Sequence, residues 1–207
     1  MLIKRGSGEP DSQISLYYQR RVMLMDDEYA FVCDNTPAIS EDMTVEYAKI
    51  EIPQMPFSIQ SYRGSSSRTW NVSDIKLISR TFNEATTNNS TLWRLRSWMK
   101  GEFGIEGTTK DNTLKRSLGM PPKVLMFTAY SSHTIAPATS RRIFRIPVVI
   151  TSLSIDYPND IDYIPDNDGN MVPIIQTISL SLTEQHSPSE ISNFSLESFK
   201  AGKMLNF

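Results

Sequence analysis

The stretch 174–182 reads IIQTISLSL. Side chains on an extended chain alternate between two faces with a period of two. Ile174, Gln176, Ile178, Leu180 and Leu182 therefore share one face, and Ile175, Thr177, Ser179 and Ser181 the other. A helix cannot sort these residues, so the stretch is expected to be a half-buried antiparallel strand. Such a strand needs hydrogen-bonding neighbours along its edges and an element to cover its apolar face. Residues 143–157 supply the longest candidate neighbour, with Ile146, Val148, Ile150 and Ser152 read onto one face. Pro147 restricts its start to an edge or an entry point, because proline has no N–H to donate to a ladder. The Asp, Asn and Pro residues of 158–170 read as the turn that makes a long hairpin of the two.

Upstream, residues 14–24, 29–33, 44–52, 57–61, 70–82 and 124–130 read as further strands. The parity shift between Val72 and Ile75 predicts a bulge. Arg63 to Arg68 (RGSSSR) and residues 101–121, with four glycines, read as loops. The chain has 42 Ser and Thr, 12 Pro and 9 Gly among 207 residues, a composition of strands and connections. One helix is expected over residues 89–100, capped by Asn88, Asn89 or Ser90. There Leu92, Leu95, Trp98 and Met99 recur at helical spacing, and Gly101 follows. Ser187, Pro188 and Glu190 predict a capping box for a short helix. Residues 1–13 read as a mobile arm, 14–186 as one domain, and 187–207 as an apolar, aperiodic docking tail.

No apolar run approaches the roughly 20 residues of a membrane helix, and the polar start carries no signal peptide. The single cysteine, Cys33, excludes an intrachain disulfide and a cysteine-based metal site. His133 and His186 stand apart in Ser/Thr/Pro-rich connections, and no nucleophile, phosphate-loop or dinucleotide fingerprint occurs. Asp166, Asn167, Asp168 and Gly169 look like part of a calcium loop. Placing Gly169 at the sixth position puts Ile164 at the first and Ile175 at the twelfth, where ligands are required. The EF-hand reading fails; a turn, an acidic assembly face and an irregular cation site are the readings left. No catalytic, cofactor-binding or metal residue is assigned, and no enzyme activity is expected.

The net charge of −2 hides a segregation. Residues 1–59 carry −5, residues 60–145 carry +9, and residues 146–207 carry −6. The basic residues of the middle segment are scattered singly, without the aromatic interleaving of a nucleic-acid surface. Cancellation within the chain and complementarity between copies both account for the pattern.

The order of strands, exposed loop, strand, amphipathic helix, loop and long hairpin is similar to the tail-tube fold of contractile injection systems. The match is best to the baseplate-tube proteins of contractile-tailed bacteriophages. It is carried by Thr69-Trp70-Asn71-Val72 with the helix containing Trp98, by residues 122–130, and by the hairpin with Asp156-Tyr157-Pro158 and Thr183-Glu184. The resemblance implies a mainly β (α+β) fold: a tail-tube-like antiparallel barrel or sandwich with one flanking helix and long hairpins. It implies a structural virion protein of the tail baseplate, assembled in the host cytoplasm, that forms a homo-hexameric ring joining hub to tail tube and templating tube polymerisation. The implied partners are the hub and tail tube proteins, with tape-measure, sheath-initiator and wedge proteins as further candidates. DNA would only pass through the lumen, and no membrane is involved. The candidate interface residues are Ile146, Val148, Ile150, Ile174, Ile178, Leu180, Phe194, Leu196 and Phe199. The alternatives are the tube protein or tail terminator itself and, from another class, a monomeric ligand-binding β-barrel.

Overall fold

The alternation in residues 174–182 becomes the best-paired strand of the molecule. The structure is a computed structural model that describes residues 2–4, 22–106, 115–130, 143–201 and 204. It is mainly β, with antiparallel sheets and few helices. The strands are β1 (Leu2–Lys4), β2 (Met23–Met25), β3 (Tyr29–Val32), β4 (Ala38–Asp42), β5 (Val45–Ile50), β6 (Ile59–Ser65) and β7 (Thr69–Ile78). After helix α1 (Phe82–Trp98) come β8 (Glu102–Glu106), β9 (Lys115–Met120), β10 (Leu125–Ala129), β11 (Ile143–Asp156), β12 (Tyr163–Pro165), β13 (Met171–Pro173) and β14 (Ile175–Glu184). Two short helices, α2 (Pro188–Ser192) and α3 (Leu196–Lys200), end the described chain.

Eight strands form one sheet in the order β1-β3-β2-β10-β11-β14-β7-β4. Among the described residues β1 and β4 do not pair with each other, so the sheet is open rather than a closed barrel. The expected arm contributes β1, which pairs Leu2 with Phe31 and Lys4 with Tyr29; residues 5–13 lie outside the described residues. β11 and β14 make the predicted hairpin, from Val148 opposite Glu184 to Asp156 opposite Thr177. The segment expected as a plain turn carries the small β12–β13 ladder at the hairpin's end. Pro147 stands where β11 enters its pairing with β14, and its carbonyl accepts from Gln185 N–H.

Bulges set the faces. β7 holds the predicted one between Val72 and Ile75, where Asp74 adopts φ 62°. The Asn35 amide bridges it, donating to Asp74 O (2.6 Å) and accepting from Lys76 N–H (2.9 Å), which holds a backbone conformation that L-residues disfavour. In β11 the register shifts between Ile150 and Ser152. Ser152, read above onto the apolar face, therefore lies opposite Ser181 on the other face, and Leu153 and Ile155 take over the inward positions.

One face of the sheet is covered by α1. Leu92, Leu95 and Trp98 join Trp70, Leu77, Phe127, Ile146, Val148, Ile178 and Leu182 in a single core. The helix starts seven residues earlier than expected. Thr81 is its N-cap, with its hydroxyl accepting from Glu84 N–H. The first half buries Ala85, Asn88 and Thr91, so its stripe is made of small and polar residues that carry no hydropathy signal. Asn88 offsets its burial by donating to Ile78 O (3.0 Å) and Ser79 Oγ (2.8 Å). Trp98 is anchored at the other end, where its indole donates to Asp26 Oδ2 (2.8 Å). Asp26 also accepts from the backbone of Glu28 and Tyr29, so one buried carboxylate both closes the β2–β3 turn and fixes the helix. The expected loop 101–121 instead contains the β8–β9 hairpin, paired from Glu102 opposite Met120 to Glu106 opposite Lys115.

Candidate assembly surfaces

Among the described residues three surfaces stand out once the core is formed. The first is the sheet face turned away from α1. There β14 presents Thr177, Ser179, Ser181 and Thr183, β11 presents Ser152 and Ser154, and β7 presents Thr69 and Asn71. Ser181 Oγ donates to Asn71 Oδ1 (2.8 Å), and Asn71 Nδ2 donates to Asp42 Oδ2 (2.8 Å). Short hydroxyls and amides of this kind satisfy one another or water; Lys76 and Asp156, both opposite Thr177, add charge at one end of the face.

The second surface is a projecting arm. The β4–β7 ladder runs out to Asp42 opposite Thr69. Ser66 N–H then bonds Thr44 O (2.8 Å), and the ladder resumes between β5 and β6 as far as Ile50 opposite Ile59. The loop reading of Arg63 to Arg68 thus yields to strand through Ser65, because the partner strand continues on the other side of the arm. Among the described residues β5 and β6 pair only with each other, and Tyr47, Tyr62, Met55 and Phe57 are exposed, Phe57 by 81%. An isolated two-stranded hairpin is marginal in water. The edge-to-face contact of Tyr47 and Tyr62 (6.0 Å) is a local brace.

The third is a groove of about 670 Å³ between α1 and β11. Met99, Leu153 and Ile155 floor it; Trp93, Arg96, Lys100 and Tyr157 rim it. Arg96 donates to the Tyr157 hydroxyl (2.9 Å) and lies over the Trp93 ring (4.9 Å). Among the described core residues, by contrast, the void between Phe31, Val72, Ile75, Phe127 and Leu180 measures about 10 Å³. That is at the lower limit for a single water.

The predicted interface residues divide. Ile146, Val148, Ile150, Ile178 and Leu180 lie in the protomer's own core, so of these strands only the opposite face is open to a partner. Ile174 is half-buried at the start of β14. Phe194, Leu196 and Phe199 are exposed by 45, 57 and 40%, and neither α2 nor α3 buries a residue. The predicted capping box at Ser187 and Glu190 is present. The Ser187 backbone N–H, above all, holds the Glu190 carboxyl below its usual pKa. Sequence reasoning missed the arm as a surface. Its signal was there, apolar residues on both faces of 44–52 followed by a tip with Pro53 and Pro56.

The buried polar groups are held by the fold itself. Glu184 is buried, paired with Arg68 (2.7 Å), in contact with His186 (3.5 Å), and accepts from the Trp70 indole (3.3 Å). Asp166 is enclosed by its own turn, accepting from the backbone of Asp168 and Asn170 and from the amides of Asn170 and Asn89. The Asn170 side chain contributes most to holding its carboxyl below the usual range, while partial burial opposes. Among the described residues no group of three or more His, Cys, Asp or Glu is placed to hold a metal ion. His133 lies outside them, and Cys33 is buried. No family model matches the chain, and no curated protein matches it.

Proposed function

We propose that the chain is a structural protein of a contractile phage tail, a tail-tube-like subunit of the baseplate hub. In this reading six copies form a ring that connects the hub to the tail tube and templates its polymerisation. The observation that carries it is the division of the β11–β14–β7 sheet. One face is spent on α1 in the protomer's own core, and the other is mostly Ser, Thr and Asn, with Lys76 and Asp156 both opposite Thr177 near one end. Six such faces turned inward make a lumen that DNA can traverse, because the hydroxyls are short and neutral and Lys76, a cation on this face, is paired with Asp74 (3.8 Å). The open sheet edges support closure between copies, since an unpaired edge is otherwise an aggregation hazard. The exposed arm and tail give such a ring apolar surface for two different neighbours, here the hub and tube proteins.

The monomeric ligand-binding barrel is less well supported. Its ligand would need an interior cavity, and the void beneath the sheet among the described residues Phe31, Val72, Ile75, Phe127 and Leu180 is about 10 Å³. Native mass spectrometry with negative-stain imaging of the purified chain tests the proposal. Hexameric rings with a central channel are expected; a monomer that persists at high concentration would overturn it.

A further inference from the structure

We propose that His186 is a proton-operated latch that holds the root of the C-terminal segment to the end of the sheet and releases it as pH rises. The inference stands on the protomer alone and does not need the ring reading. His186 follows β14 and precedes Ser187, the N-cap of α2. Backbone pairing ends just before it, where Gln185 N–H donates to Pro147 O (2.9 Å), and neither α2 nor α3 buries a residue. Its side chain thus stands where the chain passes from the sheet to helices held by surface contacts.

Carboxylates stand on both sides of the ring. The His186 side chain is 11% exposed, and its Nε2 lies 3.5 Å from Glu184 Oε2. Glu184 is buried, with Oε1 on Arg68 Nη2 (2.7 Å) and on the Trp70 indole (3.3 Å). Arg68 reaches on to Glu41 in β4 (3.3 Å). Toward the tail, Glu190 is exposed in the first turn of α2, and its Oε2 accepts from Ser187 N–H (2.7 Å). The bonds from Ser187 hold the Glu190 carboxyl below its usual range, and His186 adds to the effect through its charge. Glu41 and Glu184 share the one guanidinium of Arg68, and Glu190 brings a third carboxylate. Imidazole is the side chain whose ordinary charge change falls between about pH 5 and about pH 8. Protonated, it sets a cation between the carboxylate that ends the sheet and the one that starts α2. Neutral, it leaves two like charges facing across it. The latched state binds a proton more tightly than the released one, so its advantage is complete at the acid end and is lost as pH rises.

The test places a nitroxide on Ile191→Cys, an exposed position of α2, in the full chain; Cys33 is buried, which keeps it from the label. Electron paramagnetic resonance reads the label's mobility from about pH 5.5 to about pH 8, and proton NMR follows the His186 imidazole over the same range. The label's correlation time is expected to shorten roughly tenfold as pH rises, the step from a docked helix to a tethered one, with the same midpoint as the His186 resonance. His186→Asn should leave the label mobile throughout, and His186→Arg immobile throughout. Glu190→Gln keeps the capping box but not the charge, and should shrink the change. A dilution series separates the latch from burial by a neighbouring copy, which alone weakens on dilution. Circular dichroism checks that the variants fold; where one does not, the coincidence of the two midpoints in the labelled parent decides. Mobility indifferent to pH, a response that survives His186→Asn, or two distinct midpoints overturns the latch and leaves the ring reading intact.

Discussion

Among the described residues each buried carboxylate has several partners. Glu184 is 5% exposed and holds the end of β14 to Arg68, Trp70 and His186. Removing one partner of a buried pair costs more than removing both, since the survivor stays desolvated. Arg68→Ala is expected to lower stability by about 3 kcal/mol, and adding Glu184→Gln should recover part of that; chemical denaturation measures both. Asp166 gives a pH prediction. Its folded pKa lies below the unfolded value, so its contribution is complete above the unfolded pKa of about 3.9 and is lost as pH falls through the lower folded value. Asp166→Asn should therefore lose less melting temperature than the wild type between pH 6 and pH 3. Gln176 overturns a simple expectation. Its place at the start of β14 invites it toward water, yet it is 2% exposed and its Oε1 has no hydrogen-bond partner among the described residues. Gln176→Leu should raise stability by about 1 kcal/mol, because an unmet buried carbonyl is replaced by an apolar group. A lower melting temperature would show that the amide is satisfied.

At the scale of elements, the same sequence signal leads to two outcomes. β5 and β14 both alternate, but β14 lies between β11 and β7 under α1, whereas β5 has only β6. The tail shows a similar separation of local from tertiary order. Its capping box forms from adjacent residues alone, while its aromatic side chains stay exposed. Deleting residues 187–207 should therefore leave the melting temperature within a few degrees of the full chain and abolish assembly. Calorimetry and size-exclusion chromatography read the two effects separately. An unfolded truncation would place the tail in its own core.

For the whole molecule, the charge segregation is the feature with most reach. The middle segment carries +9 and the final segment −6. If these meet between copies, association is screened by salt. Between about 0.1 M and about 1 M salt the Debye length falls from about 10 to about 3 Å. The assembled fraction is expected to fall over that range while the fold persists by circular dichroism; rings indifferent to salt would assign the contact to apolar burial alone.

The sequence by itself determined the β11–β14 hairpin, the β7 bulge, the second half of α1 and the capping box of α2. Each is written in a repeat of two or of 3.6 residues, or in a spacing of three, that backbone geometry imposes within one segment. Only the tertiary structure decided that α1 begins at Phe82, that 102–120 holds a hairpin, and that Ser152 turns outward beyond a bulge. It also decided that the predicted interface residues of β11 and β14 are claimed by the protomer's own core. The reason is the same throughout. Periodicity fixes which residues share a face, but what that face meets depends on neighbours distant in the chain, and Asn88, Thr91 and Gly104 take their places from those neighbours.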